Sequence, residues 1–266
     1  MPREKKRRRS GRRSPLAAAA LIGVGLLLTG GAYAGASAAM AASPNETATT
    51  TLTVEDGEKL FQANCATCHG LDLAGTENGP SLYGVGAMAV EFQVATGRMP
   101  LQMQGPQAPQ KPPQFTEDQI LAMSAYVQSV APGPEIASGE VLDGQGDVSH
   151  GAELFRVNCA MCHNVAAAGG ALTEGKYAPP LAGVEPRHLY AAMETGPQNM
   201  PVFNDLNLTP EDKRDIISAL LWMEQNPSPG GFTLGSLGPV SEGLFIWIFG
   251  IGALVAFTVW ITAKSN

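Results

Sequence analysis

The 266-residue chain is poor in cysteine and histidine, with four of each, and both shortages narrow its chemistry. Cys65, Cys68, Cys159 and Cys162 all fall in two C-x-x-C-H segments, so none remains for a structural disulfide. Outside those segments the only histidines are His150, placed to cap or precede a helix, and His188, which reads as a surface or helix-start residue. Basic residues are also scarce where the chain is globular. Between residues 43 and 242 there are 8 Lys and Arg against 23 Asp and Glu, a net charge of −15. Eight more basic residues crowd into residues 1–15, with Glu4 the one acid there. A nucleic-acid-binding reading would rest on that short segment alone. Because it directly precedes an apolar run, it reads instead as a cytoplasmic retention signal, and no nucleic-acid partner is expected. No βαβ pattern surrounds either C-x-x-C, so a thioredoxin-like dithiol lacks its setting.

What is present is one stretch written twice. Gly57-Glu58-Lys59-Leu60-Phe61-Gln62-Ala63-Asn64-Cys65-Ala66-Thr67-Cys68-His69 returns 94 residues later as Gly151-Ala152-Glu153-Leu154-Phe155-Arg156-Val157-Asn158-Cys159-Ala160-Met161-Cys162-His163. C-x-x-C-H is the attachment signature of a c-type haem. Two thiols about one helical turn apart can each form a thioether to one haem vinyl group, and the next histidine then lies under the iron as proximal ligand. A zinc site built from both C-x-x-C pairs is the competing reading. It explains neither the histidine that follows each pair nor the repeat around them. Two covalently bound haem c groups are therefore expected, with Cys65, Cys68, Cys159 and Cys162 as thioether donors and His69 and His163 as axial ligands. The duplication makes two domains the natural count.

The rest of the chain falls into place around the repeats. Residues 1–15 form the basic cytoplasmic segment, and 16–42 an uncharged run read as a signal peptide or a signal-anchor helix, with retention slightly favoured. Residues 43–53 are a polar tether. Residues 54–131 form a first cytochrome c domain, 132–149 a Gly-rich acidic linker, and 150–226 a second domain. Residues 227–242 are a Pro/Gly-rich connector. Residues 243–263 are uncharged and long enough, at ~1.5 Å per residue, to cross a bilayer core of ~30 Å as a transmembrane helix. Trp247 and Trp260 suit its two interfaces. The fold class is thus mainly α: two tandem class I-like cytochrome c domains between a signal or anchor segment and a C-terminal transmembrane helix. Thr116 and Thr209 read as N-caps of the last helix of each domain, and Pro80 as the residue whose carbonyl orients the proximal ring. Tyr126 is expected to pack on the Phe61 helix, and Trp222, taken as its counterpart, near Phe155.

Each repeat carries a methionine before proline downstream of its haem motif: Thr96-Gly97-Arg98-Met99-Pro100 and Thr195-Gly196-Pro197-Gln198-Asn199-Met200-Pro201. A thioether is a soft ligand suited to haem iron, which makes Met99 and Met200 the distal candidates. Met103 and Met88 compete with Met99, and Met193 with Met200. The Pro/Gln-rich excursion at 105–114 leaves the first assignment the weaker one. His/Met ligation closes both axial positions of an iron, so neither site is left for oxygen, peroxide or another substrate. The chemistry that remains is one-electron transfer.

In the order of its elements, its duplicated Gly-x-x-Leu-Phe-x-x-Asn-Cys-Ala-x-Cys-His segment, its Met-Pro motifs and its membrane tail, the chain resembles the dihaem cytochrome c subunit of the actinobacterial cytochrome bcc (menaquinol–cytochrome c reductase) complex. The resemblance spans roughly residues 55–263. It implies electron transfer as a subunit of a quinol–cytochrome c reductase, a translocase, with no substrate site of its own. The implied partners are a cytochrome b subunit, a Rieske iron–sulfur subunit, a haem–copper cytochrome c oxidase and membrane lipid. The haem held by Cys65, Cys68, His69 and Met99 would accept electrons from the Rieske subunit. The haem held by Cys159, Cys162, His163 and Met200 would pass them to the oxidase. The expected location is the cell membrane, with the haem domains on the extracytoplasmic face and both termini cytoplasmic if the N-terminal segment is retained. A separately anchored dihaem carrier that docks transiently with several partners is the alternative.

Overall fold

The computed structural model describes residues 15–40, 51–226, 234 and 239–264. The basic segment up to Ser14, most of the 43–53 tether and most of the 227–242 connector lie outside the described residues. Residues 1–46 form one unit and 47–266 a second. In the first unit the uncharged run is a single helix, α1 (Pro15–Met40).

The second unit holds both repeats. Each opens with a helix that ends on the first cysteine of its C-x-x-C-H: α2 (Val54–Asn64) and α6 (Val148–Asn158). A one-turn helix then carries the rest of the motif, α3 (Ala66–His69) and α7 (Ala160–His163). A middle helix follows, α4 (Gly86–Ala95) and α8 (Pro186–Thr195), and a long closing helix, α5 (Glu117–Val130) and α9 (Pro210–Gln225). Only the second repeat adds a small antiparallel pair, β1 (Gly170–Ala171) with β2 (Tyr177–Ala178), between α7 and α8. The helix starts are written in the sequence. Thr53 with Asp56, Thr116 with Gln119 and Thr209 with Asp212 each form a reciprocal capping box, and Pro210 occupies the first turn, where its missing N–H costs nothing. Asp147, not His150, caps α6; His150 sits in the first turn and donates from Nδ1 to Asp215 on α9, 2.9 Å away.

The opening and closing helices of each repeat cross backbone to backbone, which explains the glycine that begins each repeat. A Cβ on Gly57 would stand 2.0 Å from the carbonyl oxygen of Ala122, and one on Gly151 1.9 Å from that of Asp215. At the first crossing Phe61 and Tyr126 meet with ring centroids 5.5 Å apart, as the sequence predicts. The second crossing departs from expectation. Phe155 packs with Ile216, Ile217 and Leu220, whereas Trp222 is 51% exposed. Counted from the N-caps, Tyr126 and Ala219 share a register position; Trp222 lies three residues further along α9, on its outer side.

The two repeats share a core. Met88 and Phe92 on α4 belong to the same buried cluster as Phe155, Leu189 and Ile216 of the second repeat. Burial of side chains of this size is worth roughly 1.5–3 kcal/mol each. Beside them Glu91, 0% exposed, accepts a hydrogen bond from His188 Nε2 at 3.0 Å and lies 3.3 Å from Arg187 Nε. His188 is therefore a part-buried interdomain residue rather than a surface one, its ring edge-on to Phe92. The 105–114 excursion has no regular structure, yet it is tied down at both ends. Lys111 donates its backbone N–H to Thr96, and Gln107 exchanges two hydrogen bonds with the backbone of Tyr177 in the other repeat, at 2.9 and 2.8 Å. The 132–149 segment is likewise docked. It includes a 3₁₀ turn, Gly139–Leu142, whose Leu142 is buried, and its Asp143 forms a paired contact with Arg214 on α9.

The C-terminal segment is helical from α10 (Pro239–Phe245) through a π-helical turn (Ile246–Ile251) to α11 (Gly252–Lys264). Val240–Ala263 is one apolar stretch of 24 residues, ~36 Å at ~1.5 Å per residue, long enough to cross a membrane and three residues longer at its start than the sequence suggests.

Candidate cofactor sites

Each C-x-x-C-H is wound into the same local frame. The Cys65 carbonyl accepts from the N–H groups of Cys68 and His69 at 3.1 and 3.0 Å, and that of Cys159 from Cys162 and His163 at 3.1 and 2.9 Å. One thiol of each pair faces inward and the other outward: Cys65 is half-buried and Cys159 buried, while Cys68 and Cys162 are exposed. Burial, and secondarily the neighbouring cysteine, push the Cys65 and Cys159 thiols up to about 11. A redox dithiol works through a low-pKa thiolate, and burial holds these two thiols away from that state. Among the described residues no three His, Cys, Asp or Glu side chains come together as a metal-binding group, so the zinc site that would join the two motifs is not built.

The histidines of the two motifs are held by partners downstream. His69 Nδ1–H donates to the carbonyl of Pro80 at 2.8 Å, and His163 Nδ1–H to that of Pro179 at 3.0 Å. This fixes the tautomer and leaves Nε2 without its proton, the same orienting contact that metal-bound histidines use. Burial lowers the pKa of His163, against the opposing pull of the Pro179 carbonyl, which keeps its ring neutral as a ligand must be.

Each frame opens onto a cavity. The first, about 290 Å³, is bordered by Cys65, His69, Pro80 and Met99; the second, about 520 Å³, by Cys159, His163, Pro179 and Met200. Of the rival methionines, Met103 is 79% exposed and Met88 is committed to the interdomain core, so neither borders the first cavity. Met193 does border the second, from the buried face of α8, and Met123 on α5 borders the first, a residue that sequence reasoning passed over. Two further features escaped it. The Pro197-Gln198 step borders both cavities, so they share a wall. Arg98 of the first repeat borders the cavity of the second.

Comparison with known proteins agrees with this geometry. The family described as Cytochrome c matches residues 54–131, and that described as Cytochrome C oxidase, cbb3-type, subunit III matches residues 146–218. The cytochrome bc1 complex cytochrome c subunit of Corynebacterium efficiens is 48% identical over 228 residues, 80% of this chain and 77% of that protein. The chain belongs to the family of cytochrome bc1 complex cytochrome c subunits. The Mycobacterium tuberculosis member is 45% identical over 218 residues, 79% of this chain and 77% of that one. The cbb3-type cytochrome c oxidase subunit FixP of Sinorhizobium medicae is similar over a shorter stretch, 35% over 95 residues, covering 30% of this chain and 32% of that protein. Cytochrome c domains carry covalently bound haem c, and the residues here fit it. Each cavity has an apolar lining, a paired-thiol frame, a histidine with its Nδ1–H already engaged and at least one thioether. The second also has a buried guanidinium with no anion of its own.

Proposed function

We propose that the chain holds two haem c groups and relays single electrons within a membrane-bound quinol-oxidising complex. The flow runs from the Rieske iron–sulfur subunit beside a cytochrome b subunit, through the first domain to the second, and on to a haem–copper terminal oxidase. When bound, each haem supplies one Fe(III)/Fe(II) couple. The chain's own residues do the remainder. Cys65, Cys68, Cys159 and Cys162 fix position and orientation. The Pro80 and Pro179 carbonyls would orient the His69 and His163 rings to offer Nε2 as ligand. Met99 and Met200 would supply thioether ligands to the iron, which would leave no position for oxygen or peroxide and raise the potential relative to two nitrogens.

The shared wall is the observation that carries this reading. Pro197 and Gln198 border both cavities, and the docked 105–114 and 132–149 segments keep the repeats in register. The two sites are thus neighbours joined through protein rather than independent carriers on a loose tether. The direction of flow, and the oxidase as acceptor, follow from the family resemblance. The apolar C-terminal helix anchors the subunit, with the haem domains on the extracytoplasmic side and, if the N-terminal segment is retained, both chain ends in the cytoplasm.

The test is a reduced-minus-oxidised visible spectrum of the tagged full-length protein, extracted in mild detergent at high salt. Haem b and haem a bands beside two haem c per chain are expected, because an embedded subunit survives salt that screens surface docking. A haem c band alone would overturn the bridging role and leave a separately anchored carrier steered by its acidic surface.

A further inference from the structure

Arg98 is the residue whose placement the electron-relay reading leaves unexplained. It belongs to the first repeat, immediately before Met99, yet it borders the second cavity. It is 7% exposed, and among the described residues it has neither a hydrogen bond nor an ion pair; its one directed contact is with the ring of Phe92, 5.0 Å from its guanidinium carbon. An unpaired buried cation is costly, because the low-dielectric interior replaces neither its hydration nor its counter-charge. Among the described residues no carboxylate lies within ion-pair distance of Arg98: Glu91 turns Oε1 to Arg187 and His188 while its buried Oε2 has no hydrogen-bond partner, and Glu185, which also borders the cavity, lies 3.5 Å from Arg187. Among the described residues no other Lys or Arg borders the second cavity, and none borders the first.

We propose that Arg98, supplied by the first domain, is the charged partner of a propionate of the haem in the second domain. This rests on the reading that the Cys159–His163 cavity holds haem c. A guanidinium is suited to the role: its donors match a carboxylate bidentately, and it stays charged when buried. The pairing does two things. It ties the second haem to both domains, so the first domain completes the second site. It also places a positive charge beside one couple and not the other. Reduction adds an electron, so a nearby cation favours the reduced form and raises the potential of the second haem relative to the first.

The experiment uses full-length holoprotein carrying Arg98→Gln or Arg98→Lys, with haem c per chain counted before potentiometric titration. Arg98→Gln should leave two haems per chain and shift the reduction equilibrium of one of them by about tenfold towards the oxidised form, ~59 mV for one electron. Arg98→Lys should retain most of the wild-type value. The shifted couple should be the one that Met200→Ala also moves. Resonance Raman spectra of wild type and Arg98→Lys give a second readout that does not depend on Arg98→Gln folding: the propionate-bending band should differ between them. Unchanged potentials and an unchanged propionate band, with both haems present, would overturn the pairing. Fewer than two haems per chain in the wild type would instead overturn the reading it rests on.

Discussion

Replacing Gly151 with alanine tests the crossing on which the second haem frame is built. The added Cβ would lie 1.9 Å from the carbonyl oxygen of Asp215, where ordinary contact begins at 3.4 Å, a deficit of 1.5 Å. The opposing atom is helix backbone, so no rotamer change relieves it. Either α6 and α9 move apart, loosening Phe155 against Ile216 and Ile217, or α6 bends ahead of Cys159. Overpacking of this kind costs about 1–3 kcal/mol, and a backbone collision belongs at the upper end. Alanine recovers up to about 1 kcal/mol of helix propensity. The net is a loss of about 2 kcal/mol or more, which lowers the melting temperature of the two repeats, melting together across their shared core, by roughly 4–8 °C. The assay is calorimetry of the reduced holoprotein, followed in parallel by visible circular dichroism of the haem. Glu153→Ala, on the exposed side of the same helix, is the control and should melt as wild type does. Gly57→Ala should behave like Gly151→Ala, since its Cβ would lie 2.0 Å from the Ala122 carbonyl. A Gly151→Ala protein melting within about 2 °C of wild type would refute the argument, because it would mean that the helices have room to separate freely.

Three further outcomes follow from other contacts. Glu91→Ala takes the shared carboxylate from part-buried His188 and Arg187, although Arg187 keeps Glu117 at 2.8 Å; losing the charged acceptor should cost about 1–3 kcal/mol and appear as faster limited proteolysis within 132–149 and separate melting of the two domains. The pKa of His150 is raised, chiefly by its hydrogen bond to Asp215, so its contribution to stability is complete below its ordinary value of 6.5 and is lost as pH rises through the higher folded value. The melting-temperature gap between wild type and His150→Gln should accordingly be widest on the acid side and close on the alkaline side; a gap that widens with pH would reverse the assigned sign. Thr209→Ala removes the acceptor of the Asp212 N–H at the start of α9 and should lower stability in denaturant titrations by about 1 kcal/mol.

What could be read from the sequence was what is contiguous in it. The C-x-x-C-H frames, the proline that receives the histidine N–H, the Met-Pro steps and the capping boxes are each set by residues within a few positions of one another or by a motif copied in both repeats. Registers across space were less legible. Tyr126 and Trp222 look equivalent because each is a large aromatic late in the closing helix. The position facing the opening helix is nevertheless set by distance from the N-cap, which puts the small Ala219 there and leaves Trp222 outside. His188 reads as a surface residue because the carboxylate that buries it, Glu91, comes from the other repeat, 97 positions earlier.

The interdomain residues are found where the two copies differ rather than where they agree. Residues kept in both repeats build the two frames, which must be alike because each holds the same kind of group. The contacts that hold one frame against the other cannot be alike, because in an asymmetric pair each domain presents a different face. Arg98 stands immediately before Met99 where Asn199 stands immediately before Met200, and the 105–114 excursion falls in the first copy alone. Both differences sit on the seam: Arg98 borders the second cavity and Gln107 binds the backbone of Tyr177. Reading the duplication for its similarities therefore locates the two frames, and reading it for its mismatches locates the seam between them.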